Sequence, residues 1–88
     1  MSQVASRVFE FMCTIEIPGE FTIEMADRLY EAGCDDATFG TSNGVHFGTF
    51  HREADSLGDA IGSAVRDVER AGLSVARIEI ERTPRPTA

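Results

Sequence analysis

The sequence predicts an α+β fold with its elements in the order β-α-β-β-α-β. Three features predict it: period-two alternation near both ends, two capped amphipathic helices, and an Asn-Gly turn between two β-like runs. The 88 residues, 42% apolar and 26% charged, suit one domain with one modest core. We expect a disordered N-terminus over 1–6, a single domain over 7–82 and a flexible tail over 83–88.

Residues 7–17 alternate. Phe9, Phe11, Cys13, Ile15 and Ile17 share one face, and Val8, Glu10, Met12, Thr14 and Glu16 the other. That pattern marks a strand with one face buried, and Pro18-Gly19 ends it. Thr22 is placed to cap a helix through Ala32, with Phe21 poised to pack on Ala26 as a hydrophobic staple. Met25, Ala26 and Leu29 form its apolar stripe. Gly33 fits the left-handed position that closes a helix, with Cys34 folding back on Leu29.

Residues 37–42 are short and β-like, and 45–52 return. Asn43-Gly44 between them favours a type I′ turn. A two-residue turn fixes the register: Ser42 opposite Val45, Thr41 opposite His46, Phe39 opposite Gly48, Ala37 opposite Phe50. Ser56 caps the second helix, with Asp59 as its capping-box acid. Leu57, Ala60, Ile61, Ala64, Val65 and Val68 follow helical spacing over three turns. Gly72 ends this helix and Leu73 lands on Val68. Gly58 and Gly62 each cost about 1 kcal/mol relative to Ala, which suggests close approach by the first helix or by a partner chain. The last strand, 74–81, sets Ala76, Ile78 and Ile80 against Val75, Arg77 and Glu79.

With right-handed crossovers this order yields a four-stranded antiparallel sheet, both helices on one face, and the first and third strands central. That is the split βαβ, or ferredoxin-like, arrangement.

The helices cover only one side of such a sheet. The other is expected to carry Glu10, Met12, Thr14, Thr38, Gly40, Val45, Phe47, Thr49, His51, Val75 and Arg77. Met12, Val45, Phe47 and Val75 would form an apolar patch rimmed by Glu10, Glu16, Arg77 and Glu79. Apolar patches with polar rims mark association sites, although scattered apolar residues on a sheet surface are also ordinary.

Charge narrows the possible functions. The formal net charge is −7, and all eight basic residues are Arg. Such a surface repels phosphate backbones, so direct nucleic-acid binding is not expected. Without Lys, Schiff-base and P-loop lysine chemistry are excluded. The run Asn43-Gly44-Val45-His46-Phe47-Gly48-Thr49-Phe50 echoes the aromatic signature of RNA-recognition strands. Phe47 and Phe50, however, point to opposite faces. No membrane-spanning run and no secretory leader are evident. Cys13 and Cys34 are expected as reduced core residues of a cytoplasmic protein.

His46 and His51 face opposite ways and so cannot share a metal; His46 should point toward the helices beside Thr41. His51 with Glu53 is a weak ligand pair, and no metal or cofactor is expected. Asp35 and Asp36 follow the first helix, and Glu53 and Asp55 precede the second; they read as solvated turn acids. Arg52-Glu53 is expected as a local ion pair. Because the second and third strands of the chain are antiparallel, Asp35 and Asp36 lie near His51 and Glu53, so an acid–base site there stays open. No nucleophile–base pair or zinc spacing is present, and the expectation is a non-enzyme.

The segments 31–37, 44–45, 50–57 and 60–72, from Glu31-Ala32-Gly33-Cys34-Asp35-Asp36-Ala37 to Arg70-Ala71-Gly72, resemble a small uncharacterised bacterial domain. In other chains that domain stands just before a helix-turn-helix DNA-binding region. The resemblance spans roughly residues 9–80. It implies a sensory, dimerising or partner-docking module and brings no site residues. Here Ile80-Glu81-Arg82 runs into a Pro-containing stretch instead of a helix-turn-helix, so DNA binding is not expected to carry over.

The resulting expectation is a regulatory or interaction module that forms a homodimer through its open sheet face and has room for a regulatory protein partner. The alternatives are a small-ligand-binding regulatory domain and, less favoured, a small enzyme using Asp35, Asp36, His51 or Glu53.

Overall fold

A computed structural model describes residues 7–80. The expectations for 1–6 and 83–88, and the last residues of the predicted domain, lie outside the described residues. Six elements follow the predicted order: β1 (Arg7–Glu16), α1 (Ile23–Ala32), β2 (Ala37–Ser42), β3 (Val45–Ala54), α2 (Leu57–Arg70) and β4 (Ser74–Ile80). The sheet order is β2-β3-β1-β4, with every neighbouring pair antiparallel. This is the ferredoxin-like α+β arrangement. β3 runs two residues further than expected because its end pairs with the start of β1, Arg7 opposite Ala54.

Side-chain chemistry at the ends sets both helices. Thr22 Oγ1 accepts from the Met25 N–H at 3.2 Å, and Ser56 Oγ accepts from the Asp59 N–H at 3.1 Å. Gly33 and Gly72 take φ of 119° and 88°. The N–H groups of Cys34 and Leu73 then bond back to Leu29 and Val68. Asn43 and Gly44 are both left-handed, with φ of 53° and 79°, as a type I′ turn requires. The β2–β3 register is the one expected.

Phe11 and Phe50 stack 5.4 Å apart at the centre of the core, among Leu29, Val68, Ala60, Ala64, Cys13 and Cys34. The hairpin balances its two faces with glycines. A Cβ on Gly48 would sit 2.7 Å from Phe39 Cε1 beneath the helices. One on Gly40 would sit 3.1 Å from Phe47 Cζ on the open side. Each ring therefore covers the glycine directly across from it.

Two expectations fail here. The β1–β4 register shifts between Thr14 and Ile15: Thr14 faces Arg77, but Ile15 faces Val75. The extra residue, Ala76, is a bulge that reverses parity. Val75 therefore joins Ile15 against the core and leaves the open face. Gly62 has nothing within 4 Å of a built Cβ, and Gly58 meets only Ser56 Oγ at 3.9 Å, so α1 does not approach α2 there.

Candidate functional site

The open face is built by β3 and β1. Along β3, Val45, Phe47, Thr49 and His51 alternate with the buried His46, Gly48, Phe50 and Arg52. Phe47 lies across from Thr14, and Met12 from Thr49, so Phe47 and Met12 are diagonal neighbours, within reach for side chains of their length. Both are half-buried although no helix covers them, while Val45 is 48% exposed. The expected four-residue patch is thus three, Met12, Val45 and Phe47, with Thr14 and Thr49 opposite Phe47 and Met12 on the same face. Val8, 64% exposed, adds an apolar corner beside Glu53.

Charges of both signs rim this centre. His51 Nε2 is 3.5 Å from Glu10 Oε2, and Arg77 Nη2 is 3.4 Å from Glu79 Oε2. Each pair is at least half exposed and is worth little to stability.

Beneath the sheet lies a feature the sequence reading missed. Arg52 is 8% exposed on the helix side of β3. Its Nε and Nη2 grip Asp36 at 2.8 and 2.9 Å, and Nη2 also donates to the Gly33 carbonyl at 2.7 Å. Nη1 donates to Asp67 at 3.0 Å and to Ser63 Oγ at 3.1 Å. All five guanidinium N–H groups are used. The cation also lies over the Phe50 ring, 5.3 Å from its centroid. The Asp36 hydrogen bond, and after it the Asp67 bond, raise the Arg52 pKa further above its ordinary value, against the opposing effect of burial.

The expected Arg52–Glu53 pair is therefore replaced by Arg52 with Asp36 and Asp67. Adjacent strand residues point to opposite faces, and Glu53 is exposed on the other one. Parity was the available signal: it places Arg52 with Phe50 and His46, where a cation must be paired. Gly33 belongs to the same assembly, since a Cβ there would lie 2.6 Å from Asp67 Oδ2.

The four candidate acid–base residues do not converge. Asp36 is committed to Arg52 on the helix side, His51 and Glu53 belong to the open side, and Asp35 is exposed. His46 is buried between partners beside Thr41, as expected. Its Nε2–H donates to the Gly19 carbonyl at 2.8 Å, which leaves Nδ1 to accept from Thr41 Oγ1 at 2.8 Å.

Cys13 and Cys34 are fully buried and unbridged. Burial raises the Cys13 thiol to about 11, opposed by the Arg52 charge. For Cys34, burial and then the Asp67 charge raise it to about 12. Among the described residues no three His, Cys, Asp or Glu side chains group as a metal site needs, and no helix is long and apolar enough to cross a membrane. An open groove of about 550 Å³ between Glu16–Pro18 and Gly72–Ser74 has Glu16 as its sole ionisable lining residue among the described residues.

No family model, curated protein or solved structure matches this chain.

Proposed function

We propose that the chain is a non-enzymatic interaction module that self-associates through its open sheet face, with Phe47 at the centre. The observation that carries this reading is the Phe47 ring over Gly40, an aromatic side chain held on the face that lacks helices. Met12 and Val45 extend the apolar centre, and the threonines around it are neutral. In a chain of net charge −7, such a centre is where two copies meet with least repulsion. The mixed rim offers complementary contacts: in a two-fold stack, Arg77 can meet the partner's carboxylates.

The resemblance to a module that precedes DNA-binding regions supports a regulatory role, in which a dimer presents or positions a protein partner. We place this work in the cytoplasm, where buried thiols such as Cys13 and Cys34 stay reduced.

Phe47→Glu tests the reading. In dilute solution the natural chain should have the mass of a dimer and the variant that of a monomer, with unchanged far-UV circular dichroism. Equal masses for the two proteins would discard the face as the contact surface.

A further inference from the structure

The two edges of the sheet are unequally protected. β4 carries a bulge at Ala76 and the charges of Arg77 and Glu79, all devices that discourage pairing with another strand. β2, Ala-Thr-Phe-Gly-Thr-Ser, has no charge, no proline and no bulge over its six residues, and among the described residues β3 is the one element packed extensively against it.

Register identifies the free backbone groups. The Asp36 carbonyl accepts from the His51 N–H at 3.0 Å. Antiparallel alternation then makes Thr38, Gly40 and Ser42 the residues that exchange bonds with β3. Ala37, Phe39 and Thr41 each turn one N–H and one C=O outward, six groups in all.

From this pattern we infer that β2 pairs antiparallel with β2 of a second copy, joining two sheets into one of eight strands. A two-fold axis through Phe39 sets Phe39 opposite its own copy and Ala37 opposite Thr41. In that register all six outward groups on each chain find partners. Thr38 then faces the partner's Gly40 on the open side.

Register favours a second copy over other strands: the outward groups of β2 are self-complementary about Phe39, and the strand has no charged side chain to set two copies against each other along the seam. A six-residue seam is small, and the pairing is accordingly weak and concentration-dependent. It is independent of the open-face reading, since its backbone groups lie in the plane of the sheet.

Amide hydrogen exchange on the Phe47→Glu chain, dilute and concentrated, tests this with the open face disabled. The Ala37, Phe39 and Thr41 amides should exchange on the order of tenfold slower in the concentrated sample, alongside a rise in mass. Ala37→Pro, which removes an outward N–H, should restore fast exchange at Phe39 and Thr41. Exchange that ignores concentration, or protection at the mass of one chain, would overturn the inference. Should Phe47→Glu not fold, the same three amides in the natural chain give the same readout. Failure of the open-face reading would appear instead in the dilute masses and would leave these amides unaffected.

Discussion

The two faces of β3 carry the same kinds of side chain to opposite ends. Toward the helices, Phe50 and Arg52 are buried, and the guanidinium joins the loop before β2, the end of α1 and the middle of α2. Toward the open side, Phe47 stands three residues before Phe50 and His51 one before Arg52, yet the ring lies over a glycine and the imidazole leans on one exposed carboxylate. A buried cation must have every donor met, whereas a surface one need not. The helix side is thus bound to structure, and the open side remains available for contact.

Arg52→Met should break this contrast most severely. It leaves Asp36 and Asp67 facing each other without their cation, and a loss of roughly 3 kcal/mol in denaturant-unfolding stability is expected. The counterpart on the open side, His51→Gln, should cost less than about 0.5 kcal/mol by the same measurement.

Between these lies a pH effect confined to the helix side. Both thiols are raised above the unfolded value of 9.0, to about 11 and about 12. The unfolded chain ionises first, so their contribution is fully present below pH 9.0 and is lost as pH rises toward the folded values. At pH ~10 that amounts to about 1 kcal/mol per thiol. The pH dependence of unfolding stability should diverge between the natural chain and Cys13→Ala/Cys34→Ala only above about pH 9. Arg52 adds nothing to this window, because its raised pKa keeps it charged throughout. The smallest change should be favourable: Gly62→Ala, in open space on α2, should stabilise by about 0.5–1 kcal/mol in thermal unfolding.

Local chemistry made most of the fold legible. Thr22, Ser56, Gly33 and Gly72 mark helix ends through bonds within a few residues, and Asn43-Gly44 sets the hairpin register by backbone conformation alone. What stayed hidden was non-local. The bulge that turns Val75 inward depends on how β4 meets β1, and nothing in residues 74–80 announces it. The Arg52 assembly gathers residues 15 and 16 positions away, Asp67 and Asp36, which no local pattern connects. Gly62 misled as a mark of helix–helix approach for the opposite reason, because a helix-weakening residue need not face the neighbouring helix. Of the expected site, Met12, Val45 and Phe47 keep their place because they sit on strands in simple register.

Filtered nuclear Overhauser spectra on a mixture of labelled and unlabelled chains would identify directly which side chains touch across two copies. Cross-chain signals from the Phe47 ring to Met12 and Val45 methyl groups, with Val75 silent, are the predicted result. Cross-chain signals confined to other surfaces, or none at a concentration where the mass is that of a dimer, would contradict it.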